Sequence, residues 1–115
     1  MAAMIQVFGT KKCHDTQKAL RFFKERNIKI QFVNLEEKAF SKGELDSISH
    51  NIPLDDLLDT SSKEYKRLNL AYMTFDLYET LLENPLLFKT PITRFGKEAK
   101  LGVRPETWKK WIEAY

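Results

Sequence analysis

Residues 4–33 read MIQVFGTKKCHDTQKALRFFKERNIKIQFV, and this stretch decides the fold. Met4, Ile5, Val7 and Phe8 form an apolar run too brief for a helix and cut off by Gly9, which predicts a buried strand. From Asp15 to Arg26 there is neither glycine nor proline, and Ala19, Leu20, Phe22 and Phe23 recur at helical spacing, so a helix is expected there. Asn27 is placed to stop it. Ile28, Ile30, Phe32 and Val33 then supply the β-branched and aromatic residues of a second strand. Strand, helix, strand predicts a parallel pair joined by a right-handed crossover.

Downstream the chain turns helical. Ser41 with Glu44 forms a capping box that opens a helix through about His50, and Ser61 with Glu64 repeats the device before Tyr65 and Leu68. A further apolar pattern, Phe75, Leu77, Tyr78, Leu81 and Leu82, ends at Asn84-Pro85, because proline disfavours helical geometry in the residue before it. Two short strands follow, Pro91 to Phe95 and Ala99 to Gly102, turning at Gly96. Pro105 suits the first turn of a last helix in which Trp108, Trp111 and Ile112 anchor the core. The expected class is α/β: β-α-β, a helical insert at about 41–84, then β-β-α, over a small mixed sheet in one domain, 1–115.

With 115 residues, 43% hydrophobic and 30% charged, the chain has the composition of an ordinary globular domain. Its net charge of +3 arises from 19 basic and 16 acidic residues without a run of like charges, which favours anionic ligands weakly and argues against direct nucleic-acid binding. One cysteine cannot make an internal disulfide, the start lacks a secretory pattern, and no apolar stretch approaches about 18 residues. The expectation is a cytoplasmic protein with no membrane contact.

The chemistry is sought at Thr10-Lys11-Lys12-Cys13-His14-Asp15-Thr16, a loop that leaves a strand and opens a helix. Unpaired N–H groups and the helix dipole favour an anion or a thiolate at such a place. Lys11 and Lys12 are expected to lower the Cys13 thiol below its free value of about 8.5, making it a nucleophile. A lone cysteine is more often a small hydrophobe, and the helix start is what argues otherwise. Asp15 is read as a helix cap and His14 as a solvated side chain. His50 lacks neighbours at metal-ligand spacing, so no metal site is expected.

Phe-Gly-x-Lys-x-Cys at 8–13, Lys18-Ala19, Asn84-Pro85-Leu86-Leu87 with Lys89 and Pro91, and Gly102-Val103-Arg104-Pro105-Glu106 occur in order over nearly the whole chain. This pattern resembles the ArsC/Spx/YffB superfamily, and its YffB-like branch most. The resemblance implies a thioredoxin-like fold in which Pro91 follows a cis peptide beside the cysteine. It further implies that Thr10, Lys11, Lys12, Lys89, Thr90, Pro91 and Arg104 shape a substrate or anion site around a catalytic Cys13. In arsenate reductases of the superfamily three arginines hold arsenate, and glutathione with glutaredoxin resolves the adduct. Here the corresponding positions fall at Ser61, at Thr90 and one residue away from Arg104, which argues against arsenate. Spx proteins carry a second cysteine where this chain has Thr16, so an internal disulfide switch is excluded while binding to RNA polymerase stays open. YffB-like members suggest a monothiol oxidoreductase, with no bound cofactor and with glutathione as co-substrate.

Overall fold

The computed structural model describes residues 4–114. Strand β1 (Ile5–Gly9) leads into helix α1 (His14–Glu25) and returns as strand β2 (Ile30–Asn34), parallel to β1. Strands β3 (Ile92–Phe95) and β4 (Glu98–Leu101) form a hairpin, and β3 lies antiparallel against β1. The sheet is therefore mixed, in the order β2-β1-β3-β4. Helix α6 (Pro105–Ala114) closes the chain, with Pro105 at its start as expected.

Side chains alternate across a strand, so β1 feeds two cores. Ile5 and Val7 pack with Ala19 and Phe23 of α1 and with Trp108 and Trp111 of α6. Phe8 and Ile92 face the other way and meet Phe40, Leu45, Ile48, Leu57, Leu81 and Leu87. A strand buried on both faces needs a continuous apolar run, which is why the brief run around Val7 was legible.

Asn27 stops α1 as expected, in a left-handed conformation with φ 57°. The N–H of Ile28 donates to the Phe23 carbonyl at 3.0 Å and that of Asn27 to Lys24 at 3.1 Å, the two bonds of a Schellman ending. Ile28 is thereby committed to the cap, and β2 begins at Ile30 rather than at Ile28.

The segment expected to be helical is broken into short pieces: α2 (Lys42–Ser49), α3 (Leu54–Leu57), α4 (Lys63–Arg67) and α5 (Leu77–Glu83), with 3₁₀ turns at Leu70–Tyr72 and Pro85–Leu87. The Ser41 box is present: Ser41 N–H donates to Glu44 Oε1 at 2.9 Å and Glu44 N–H to Ser41 Oγ at 3.1 Å. The second box is misplaced. Ser61 gives its N–H and its hydroxyl to Asp59 Oδ1, at 3.0 and 2.6 Å, so Ser62 caps α4 by accepting from Tyr65 N–H at 3.1 Å. Asp76 caps α5 in the same manner, which leaves Phe75 outside the helix. Ser41→Ala is expected to destabilise by about 1 kcal/mol and Ser61→Ala by much less, read from urea unfolding midpoints.

Candidate active site

Gly9 ends β1 among buried residues, and the exposed pair Lys11 and Lys12 carries the chain from the end of that interior strand to Cys13. Cys13 is the N-cap residue of α1, with extended backbone angles (φ −80°, ψ 118°). Its carbonyl accepts the first intrahelical bond, from Gln17 N–H at 3.1 Å, and its half-buried sulfur sits at the positive end of the helix.

The loop before β3 meets it there. Thr90 Oγ1 donates to Cys13 Sγ at 3.0 Å, and the thiol in turn points at the Thr90 carbonyl, 3.8 Å away. The Thr90–Pro91 peptide is cis, as the resemblance implied, and Pro91 is buried beneath the site. Burial pushes the thiol pKa up. The hydroxyls of Thr16 and Thr90 and the N–H groups of Thr16 and Asp15 outweigh that, leaving it below its ordinary value. All four of these groups are donors, which favour a charged sulfur over a neutral one.

Two expectations are corrected here. Neither the Lys11 nor the Lys12 ammonium is among the groups that lower the thiol. The Lys12 side chain is 88% exposed with its Nζ 4.0 Å from the Glu36 carboxylate, and water and salt screen charges held so far out. Asp15 makes no cap bond either; its carboxylate lies 3.7 Å from Lys18 Nζ, and only its backbone N–H serves the sulfur. His14 and His50 are exposed, and no cluster of metal-ligating side chains occurs among the described residues.

The remaining candidates divide between two grooves. Thr10, Lys12 and Thr90 line one of about 410 Å³, together with Leu35, Phe88 and Lys63. Lys89 and Arg104 line another, of about 330 Å³, with Lys100 and Asp56. Arg104 is steered by its own backbone, its Nε–H donating to the Leu101 carbonyl at 3.1 Å. Among the described residues no arginine lines the first groove. Sequence reading missed Lys63 of the helical insert and Phe88 just beyond it, since nothing local links either to the Thr10–Lys12 loop. It also passed over Thr16 as a neighbour of the sulfur, although a residue three positions into a helix lies on the same face as its N-cap.

No helix among the described residues is long and apolar enough to cross a membrane. Comparison with known proteins matches residues 8–111 to the model of the ArsC family. The arsenate reductase of Haemophilus influenzae is 27% identical over 107 residues, covering 88% of this chain and 92% of its own. The global transcriptional regulator Spx 2 of Bacillus anthracis is 25% identical over 114 residues, covering 95% and 87%. Among solved structures, an ArsC family related protein from Bacteroides fragilis superposes with a TM-score of 0.81 at 24% identity, over 96% of this chain and 99% of that one. A thioredoxin-like sheet, a cysteine at the start of its first helix and a family match spanning both ends of the fold lead to one assignment: the chain belongs to the ArsC family.

Proposed function

We propose that the protein is a glutathione-dependent monothiol oxidoreductase of the cytoplasm, with Cys13 as its nucleophile. The observation that carries the reading is the half-exposed Cys13 sulfur, set at a helix N-terminus and ringed by hydrogen-bond donors that favour its thiolate. The thiolate attacks the sulfur of a substrate–glutathione disulfide. A bond forms between Cys13 Sγ and the glutathione sulfur, the old S–S bond breaks, and the substrate leaves as a thiolate that takes a proton from water. A second glutathione thiolate then attacks the mixed disulfide, releasing oxidised glutathione and restoring Cys13. Thr10, Lys12 and Thr90 border the groove that receives the first partner, with Lys11 exposed beside Lys12 and Pro91 buried next to Thr90. Lys89 and Arg104 offer positive charge to a substrate carboxylate on the other side of the same loop.

Arsenate reduction is the alternative favoured by the Haemophilus influenzae relative's name. It is disfavoured by the side chains that take the place of arginines. Ser61 and Thr90 stand where the resemblance implies arginines, and each missing charge-assisted contact removes about 1.5–3 kcal/mol from oxyanion binding. A regulator that contacts RNA polymerase without chemistry is the reading favoured by the Spx 2 relative.

The three separate in solution. Purified protein is expected to reduce a glutathionylated peptide with glutathione as donor, and to leave arsenate unreduced even with glutaredoxin added. Arsenate turnover would overturn the argument from the absent arginines. A Cys13 that reacts with glutathione disulfide no faster than free glutathione does would end the enzyme reading. Polymerase subunits that co-purify equally with Cys13→Ser protein would favour the regulator.

A further inference from the structure

Among the described residues five charged side chains line the groove beside the thiol: Lys12, Glu36, Asp59, Lys63 and Glu64. Four of them are engaged within the protein. Lys12 lies 4.0 Å from Glu36, Glu64 accepts from Arg67 Nε–H at 2.6 Å and Nη2–H at 3.0 Å, and Asp59 Oδ1 accepts the N–H and hydroxyl of Ser61. Lys63 has no partner among the described residues. It is exposed in the first turn of α4, where the helix dipole favours an acid over a cation, so the fold gains nothing from this charge.

The backbone fixes where that charge stands. Segments 57–59 and 87–89 run antiparallel, joined by Asp59 N–H to the Leu87 carbonyl and Lys89 N–H to the Leu57 carbonyl, both at 2.8 Å. The first segment leads through the Ser62 cap to Lys63, and the second leads to Thr90, whose hydroxyl is 3.0 Å from Cys13 Sγ. The start of α4 and the neighbour of the sulfur thus hang from one short ladder, and both line the same groove. At about 410 Å³ this groove falls within the range of about 300–1,000 Å³ that holds small ligands. A ligand seated there beside the sulfur meets one uncompensated ammonium group, which as a compact point charge suits a single carboxylate.

We propose that Lys63 is a specificity-determining residue, its ammonium receiving a carboxylate of the disulfide that Cys13 attacks, so that the helical insert selects anionic disulfides such as that of glutathione over neutral or cationic ones. This rests on the reading of Cys13 as an exchanging thiol and adds how its partner is chosen. The Cys13 thiolate attacks one sulfur of glutathione disulfide. An Sγ–S bond forms, the old S–S bond breaks, and the departing glutathione thiolate carries off the electron pair and takes a proton from water. Lys63 touches none of these atoms; it acts on the encounter, holding the glutathione moiety in the groove while the sulfurs exchange.

The test measures how fast Cys13 of the full chain forms a mixed disulfide, read by intact mass, with glutathione disulfide, with neutral hydroxyethyl disulfide and with cationic cystamine. Relative to hydroxyethyl disulfide, the rate with glutathione disulfide is expected to fall about threefold in Lys63→Gln and about tenfold in Lys63→Glu, the worth of one and two exposed charge contacts. Cystamine should move the other way. Raising the salt to about 1 M, where the Debye length is about 3 Å, should erase most of these differences. Lys66→Glu is the control: it makes the same change of net charge on the same helix, but Lys66 lines a different cavity, and the ratios should stay at their parent values. Both lysines are exposed, so the fold is not at issue. Parent-like ratios in the two Lys63 variants overturn the proposal, and so does a Lys66→Glu variant that shifts them as far as Lys63→Glu. The ratios are read from Cys13 at whatever absolute speed it reacts. Failure of glutathione turnover with this pattern intact would therefore sink the oxidoreductase reading and leave the selection by Lys63 standing.

Discussion

Truncating Trp108 to alanine is expected to destabilise the protein by about 3–5 kcal/mol, a large part of the roughly 5–15 kcal/mol that holds a domain of this size together. Trp108 is 1% exposed and forms a three-ring cluster with Phe22 and Phe23, at centroid distances of 5.2 and 5.5 Å from them. Its loss removes apolar burial and leaves a cavity at the junction of α1, α6 and β1. A second component is polar. Trp108 Nε1–H donates to the buried Thr93 hydroxyl at 3.0 Å, so Trp108→Phe keeps much of the packing but strands Thr93. Adding Thr93→Val to Trp108→Phe is expected to recover stability, because replacing both partners by apolar groups removes the unpaired hydroxyl. Urea unfolding followed by circular dichroism measures each step. A loss under about 1 kcal/mol for Trp108→Ala would mean that α6 does not anchor the sheet.

The β-α-β unit was legible because its signals are local. A short run around Val7, an unbroken helical stretch and Asn27 each state their own conformation within a few residues, and only the start of β2 was misjudged, since Ile28 is drawn into the helix cap. The insert was harder. Asp59 captures Ser61 and leaves the capping to Ser62, an exchange between neighbours that a motif alone cannot rank. At the site, sequence located the sulfur but misjudged what acts on it. Charge is the visible property of Lys11 and Lys12, whereas direction decides the effect, and both lysines are exposed to water. The donors that count are the hydroxyls of Thr16 and Thr90, one in the helix and one brought in across 77 residues of chain. Lys89 and Arg104, grouped with the thiol from sequence order, open onto a separate groove: Phe88 and Thr90 line the first, and Lys89 between them lines the second.

Replacing Cys13 by serine is expected to reduce glutathione exchange to the uncatalysed rate, since an alkoxide is not accessible near neutral pH and serine cannot form the mixed disulfide. The fold should survive, because the side chain is half-exposed and its neighbours keep their packing. The same variant exposes the ionisation itself through stability. A thiol whose pKa is lowered in the folded state binds its proton less tightly there than in the unfolded chain, where it titrates near about 8.5. Its contribution is therefore fully present above the unfolded value and is lost as pH falls through the folded one. Parent and Cys13→Ser should differ most above the unfolded value, and their unfolding free energies should draw together as the pH is lowered below it. Parallel pH profiles for the two proteins would mean that folding does not favour the thiolate. A serine variant that retained exchange would place the nucleophile outside the protein, because the chain holds no other cysteine.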